Sequence, residues 1–252
     1  MSNNNLWKPK SYNSTGKFVT QYGNEVLDLL NPIKGQNILD LGCGTGELSN
    51  EIKKTGAKVT GVDISENMLK KAKENYPDID FEQMDAQQCL NFEKESFDAV
   101  FSNAALHWMT NPLAVIKNIN NILKKNGKFV FEMGGKGNIK EVLSSLDTTA
   151  KKYNISDYDI NNFYPSISEY SSLLEKNGFT VKYMTLFERP TLLEGKDGFK
   201  NWVKTFRVNL LKQMDNIDEF LNDAEILAHE HLFKNGKWYA DYVRLRGIAI
   251  KN

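Results

Sequence analysis

The sequence has no excess of either charge: 32 Lys and Arg stand against 32 Asp and Glu, so the formal net charge is zero. A nucleic-acid-binding surface normally shows as a basic excess, so no polyanionic partner is expected. Cysteine is scarce, with Cys43 and Cys89 alone, which excludes a disulfide scaffold and a cysteine-rich metal site. Histidine is also scarce, at three residues. His229 and His231 lie two apart on an expected helix and do not share a face, so no metal is expected. No apolar run approaches the ~18–20 residues of a membrane helix. The opening "MSNNNLWKPK" lacks the apolar core of a signal peptide. Neither an internal repeat nor a low-complexity linker divides the 252 residues, and one soluble, cytoplasmic domain with a modest cap is the expectation.

Short strands alternating with helices fill the first half. Strands are expected at 38–41, 57–63, 79–85, 97–103 and 128–133. Helices are expected from Gly46 to Thr55, from Ser65 onward, and from Pro112 to Lys125. This rhythm implies βαβ units, a parallel sheet covered on both faces, and ligands at the edge where the strands end. Past Gly137 the rhythm changes. A helix is expected over 138–152, a loop with a break at Pro165, a capped helix over 168–179, a strand over 180–188, a mainly helical stretch over 190–238, and a closing strand over 240–251.

The informative stretch is "ILDLGCGTGELS", residues 38–49, where Gly42, Gly44 and Gly46 follow a buried-type strand. A dinucleotide loop needs a third glycine at position 47, which is Glu47, and a phosphate-binding P-loop needs a following Lys and Ser/Thr, which are absent. Asp40, inside the strand, suits an ammonium group better than a pyrophosphate. Asp63, at the end of the second strand, suits a ribose diol. Asp85, ending the third, can accept from an adenine amine. An amino-acid tail, a ribose and an adenine without phosphate together describe S-adenosylmethionine.

These segments resemble the class I S-adenosylmethionine-dependent methyltransferases: "DLGCGTG" is similar to their first motif, "GVD" to the second, "MDA" to the third and "FDAVFSNAALHW" to the fourth. The front "WKPKSYNSTGKFVTQYG" and the back "FYPSISEYSSLLEKNGF", "ERPTLLEG" and "WYADYVRLRGIAIK" resemble a small-molecule subgroup related to trans-aconitate methyltransferases. The resemblance implies an α/β, doubly wound, seven-stranded sheet, mostly parallel with its last strand antiparallel, and a helical cap. One methyltransferase domain over 1–252 is expected, with a cofactor-binding core at 36–137; the aromatic-rich segments 1–30 and 190–238 are expected to cover the open cofactor edge as an N-terminal lid and a helical cap insertion. The resemblance also implies that Asp40, Gly42, Cys43, Gly44, Gly46, Asp63, Ile64, Met68, Asp85, Ala86, Asn103 and Ala104 hold S-adenosylmethionine, released as S-adenosylhomocysteine.

For the acceptor, His107 is the candidate catalytic residue, as a general base or as a group holding the acceptor; the competing reading is an imidazole packed beside Trp108. Tyr12, Trp202 and Phe206, with Trp7, either line the acceptor pocket or pack cap against sheet, and His107 and Trp108 are candidate pocket residues beside them. With no convincing base-plus-orienter pair, O-methylation of a small carboxylate is expected. The alternatives are N- or C-methylation of another metabolite, a nucleotide-dependent oxidoreductase, and a cofactor-binding protein without catalysis.

Overall fold

Residues that alternate along the three central strands pack into two different cores, one on each face of the sheet. In β1 (Asn37–Leu41), Leu39 and Leu41 join one core and Ile38 the other. The same split divides Val100 from Ala99 and Phe101 in β4 (Phe97–Asn103), and Phe129 and Phe131 from Val130 in β5 (Leu123–Gly134). Strands buried on both faces read as continuous apolar runs, which is why these segments were recognisable. The computed structural model describes residues 17–155 and 162–252, and the side chains from Gly23 onward within the first of these.

β1 pairs in parallel with β2 (Lys58–Asp63) and β4, β2 with β3 (Asp80–Gln83), and β4 with β5. The long β8 (Lys237–Lys251) runs antiparallel between β5 and the edge strand β6 (Phe179–Leu193), giving the order β3-β2-β1-β4-β5-β8-β6. This is the expected doubly wound sheet with an antiparallel last strand. A two-residue β7 (Phe233–Lys234) adds a hairpin onto β8, an eighth strand beyond the seven expected.

On one face lie α1 (Lys17–Leu30), through Val26 and Leu30, and α2 (Glu47–Lys54), through Ile52. The other face carries α4 (Pro112–Ile122) and α6 (Ile167–Lys176). Between them in sequence, α3 (Glu66–Asn75) starts at Ser65, whose side chain accepts from the Met68 amide. Helix α4 stops at Ile122 rather than at Lys125, because Leu123 already pairs with Phe97 and the chain turns at Asn126, whose φ is 62°.

The cap differs from expectation in two ways. Its helices α7 (Gly198–Phe206), α8 (Val208–Leu211) and α9 (Ile217–Leu232) begin later than residue 190, because β6 runs on to Leu193. Pro190 does not end β6: the strand is at the sheet edge, where a missing N–H removes no ladder bond. The cap also recruits α5 (Lys140–Lys152), from before β6. Val142, Leu146 and Ala150 share a core with Phe199, Trp202, Leu211, Phe220 and Ala224. No described helix is long and apolar enough to cross a membrane.

Candidate functional site

The glycine loop leaves β1 under three separate constraints. All three glycines have left-handed φ: 78° at Gly42, 56° at Gly44 and 87° at Gly46. A Cβ on Gly42 would stand 2.2 Å from that of Ala105, and one on Gly46 would stand 2.8 Å from Phe81, whereas one on Gly44 would meet nothing within 4 Å. Gly42 and Gly46 therefore allow close packing of the loop, and Gly44 alone faces open space. The amides of Gly42 and Cys43 donate to the Val62 carbonyl at 2.8 and 3.0 Å, tying the loop to β2.

Asp63 ends β2 beneath this loop. Its carboxylate accepts from the Gly44 amide at 3.0 Å and the Ser65 amide at 2.8 Å. Burial pushes its pKa up, and the backbone donors oppose that shift. A carboxylate offers about four lone-pair sites, so two amides leave acceptor capacity for a ligand. Asp85 follows β3 and accepts from the Gln87 amide at 2.9 Å.

These groups open onto one cavity at the carboxyl ends of the parallel strands. Of the cofactor residues expected from sequence, Gly42, Asp63, Ile64, Met68, Asp85, Ala86, Asn103 and Ala104 line it; so do His107, Trp108, Trp202 and Phe206. Four others do not. Asp40 is buried behind the loop, where its carboxylate accepts from Ser49 Oγ, and burial first, then Asp63 and Glu47, raise its pKa to about 7. Cys43 packs among Leu69, Ala72 and Phe81, and burial pushes its thiol well up. Gly44 and Gly46 belong to the loop and are not on the cavity wall. Tyr12 and Trp7 lie outside the described residues.

His107 is buried, and its Nδ1 accepts from the Gly134 amide at 3.2 Å. Burial, then the charges of Arg244 and Arg207, hold its pKa well below the usual imidazole value. A neutral imidazole whose Nδ1 accepts must carry its proton on Nε2. Such a ring donates; it has no lone pair left with which to take a proton.

Two arginines, neither singled out by sequence, complete the wall. Arg207 follows α7 and is 6 % exposed, its guanidinium 5.8 Å from the Trp108 ring centroid and 5.5 Å from that of Trp202. Arg244, on β8, is 5 % exposed and stacks 4.3 Å from the Tyr242 centroid. Nε and Nη2 of Arg207 and Nη1 of Arg244 have no hydrogen-bond partner among the described residues. A signal existed for Arg244: Tyr242, Arg244 and Arg246 are two apart on a strand and so share one face. Two left-handed non-glycine residues also border the cavity, Ala104 with φ 55° and Ile139 with φ 50°. A β-branched residue in that region marks local strain of the kind that clusters at functional sites.

Residues 39–131 match the family described as a methyltransferase domain. The chain is 33 % identical over 259 aligned positions to the uncharacterized methyltransferase C70.08c of Schizosaccharomyces pombe, covering 97 % of this chain and 98 % of that one. The chain belongs to the class I S-adenosylmethionine-dependent methyltransferases. The enzyme is also 32 % identical over 133 residues to the malonyl-[acyl-carrier protein] O-methyltransferase of Erwinia pyrifoliae, but covers only 50 % of that relative and aligns over 53 % of its own length. Among solved structures, a candidate methyltransferase of Bacillus halodurans C-125 superposes with a TM-score of 0.64 at 18 % identity, over 90 % of this enzyme and 97 % of that chain. A Haemonchus contortus phosphoethanolamine N-methyltransferase solved with S-adenosylhomocysteine gives 0.55 at 20 % identity, over 91 % of this enzyme and 52 % of that chain. The enzyme's cofactor is S-adenosylmethionine. The cavity suits it: the acceptor carboxylates of Asp63, at the end of β2, and Asp85, just past β3, both line it.

Proposed function

We propose that the enzyme methylates a carboxylate oxygen of a small, polyanionic organic acid, within a subgroup similar to trans-aconitate methyltransferases. The observation that carries this reading is the pair of buried guanidiniums, Arg207 and Arg244, with unpartnered N–H groups on the cavity wall. Burying an unpaired charge costs several kcal/mol unless a partner compensates it. A carboxylate is the partner that planar guanidinium donors fit best. Ammonium acceptors would be repelled by the same two charges.

When bound, S-adenosylmethionine supplies a methyl group attached to a cationic sulfur. In this reading Asp63 accepts from the ribose hydroxyls and Asp85 lies at the adenine end. The loop from Gly42 to Gly46 takes the amino-acid end. Arg207 and Arg244 hold the acid, and His107, a donor at Nε2, packs and positions the wall beside it. A carboxylate is ionised near pH 7 and needs no general base, which agrees with an imidazole that cannot accept a proton. The cap and α1 serve as covers that exclude water, and orientation in such a site can be worth up to ~7–11 kcal/mol. The distant likeness to an O-methyltransferase acting on a malonyl group supports an acidic acceptor, over about half the chain.

Calorimetric titration of the S-adenosylhomocysteine-saturated enzyme with small mono-, di- and tricarboxylates, and their amides as controls, tests the reading. Acids should bind and amides should not. Arg207→Gln or Arg244→Gln should weaken acid binding roughly 10- to 100-fold, as expected for charge-assisted hydrogen bonds. Equal binding of acids and amides contradicts it.

A further inference from the structure

Outside the cavity, one buried carboxylate gathers two arginines, and both arginines also face a second carboxylate on the N-terminal helix. Glu132 on β5 is 3 % exposed; it pairs with both Arg189 of β6 and Arg246 of β8. Arg246 Nη2 also reaches Glu25 Oε2 of α1 at 2.8 Å, and Arg189 Nη2 lies 3.6 Å from the same oxygen. The Glu25 side chain is 58 % exposed, while those of Arg189 and Arg246 are 10 % and 12 % exposed. Helix α1 is therefore fastened in two ways. Val26 and Leu30 anchor its C-terminal half in the core, and Glu25 marks where an ionic contact takes over.

Just before Glu25, α1 meets the site. A Cβ on Gly23 would stand 2.6 Å from Leu48 Cδ1 and 3.2 Å from Asn103 Nδ2, so the helix backbone lies directly against a cavity residue. Glu132 reaches the same wall through its main chain, because its carbonyl accepts from the Ala104 amide at 2.8 Å. Both ends of the ion network thus abut Asn103 and Ala104.

We propose that Glu25 is a positioning residue for the cofactor: through Arg246 and Arg189 it holds α1 against the Asn103–Ala104 wall. This rests on the reading that the cavity takes the cofactor. Glu25 touches nothing in the cavity itself, and its effect is exerted through the helix backbone.

The test is S-adenosylhomocysteine affinity of the full-length chain across a salt series, for wild type, Glu25→Gln and Glu25→Asp. A partly exposed ion pair is worth little and is screened by salt. Glu25→Gln should therefore bind about two- to fivefold more weakly at low salt, with unchanged helical circular dichroism and melting temperature. The difference should close as salt rises, and Glu25→Asp should recover part of it. Equal affinities at low salt, or a deficit that persists unchanged at high salt, overturn the proposal. Asp63→Ala is the control. If Asp63→Ala binds normally, the cavity assignment has failed; if it binds poorly while Glu25→Gln binds as wild type, only the role of Glu25 has failed.

Discussion

The amide of Gly134 donates to Nδ1 of His107 at 3.2 Å, and that bond decides what the imidazole can do. With Nδ1 occupied and the ring held neutral by burial, His107 is a donor at Nε2. His107→Ala should lower kcat/KM by less than about tenfold, whereas a general base contributes ~10²–10⁴-fold. The pH–rate profile of the wild type should lack an ascending limb near 6.5 that disappears in the variant. A loss of a hundredfold or more, or such a limb, would point to a hydroxyl or protonated amine acceptor.

Two buried groups give stability an opposed pH dependence. His107 stays neutral when folded, while the unfolded chain protonates it below ~6.5, so its contribution is full above that pH and is lost on acidification. Asp40 does the reverse. Its folded pKa is raised to about 7 from 3.8, so the folded state keeps a proton that the unfolded state releases, and stability declines as pH rises between those values. Urea unfolding at several pH values should show Asp40→Asn gaining on wild type as pH rises from about 5 to 7. His107→Gln should gain on wild type as pH falls below ~6.5. Curves parallel to wild type contradict both assignments.

The glycine loop should separate folding from binding. Gly42→Ala drives a Cβ to within 2.2 Å of Ala105 and should destabilise the fold. At Gly44 an added Cβ meets nothing within 4 Å, so Gly44→Val should cost chiefly the left-handed strain of an L-residue, about 1–2 kcal/mol. It should nonetheless bind S-adenosylhomocysteine at least about tenfold more weakly, because its side chain fills the space proposed for the cofactor. Normal binding by Gly44→Val would leave the loop with a structural role alone.

Asp63→Ala should weaken S-adenosylhomocysteine roughly 10- to 100-fold, the worth of ~1.5–3 kcal/mol for hydrogen bonds to a carboxylate. Asp63→Asn should fall between, since its amide oxygen can still accept from one of the Gly44 and Ser65 amides. Isothermal titration reads both, and unchanged affinity in Asp63→Ala sinks the ribose assignment.

The parts of this fold legible in sequence were those with a local cause. β4 matches its expected span, Phe97–Asn103, because a strand buried on both faces is a contiguous apolar run. The places of Asp63 and Asp85 on the cavity wall were legible because the one ends and the other follows a strand of a recognisable βαβ unit. Asp40 was misplaced in detail: its position in β1 was clear, but only the fold shows that Ser49, one helical turn into α2, claims its carboxylate. The acceptor wall was largely illegible, since Arg207 comes from the cap and Arg244 from the last strand. Nothing in a local pattern says that an arginine after α7 will lie between Trp108 and Trp202. The recruitment of α5 into the cap was hidden for the same reason, being a packing choice between segments some sixty residues apart.

Arg207 and Arg244 should also behave unusually in stability. An orphaned buried charge is a cost to the empty protein, so Arg207→Met and Arg244→Met should melt no lower than wild type without ligand. They should instead lose the rise in melting temperature that an acid acceptor produces in wild type. A large loss of stability in the empty variants would mean that the guanidiniums have partners in the folded chain.

The most direct test is the product. Incubation with methyl-labelled S-adenosylmethionine and a panel of small carboxylic acids, amines and phenols, followed by mass spectrometry, should give label on carboxylic acids as methyl esters that mild alkali releases. Acids with two or more carboxylates should react best. Label that resists alkali, or appears on amines or phenols instead, would contradict the account.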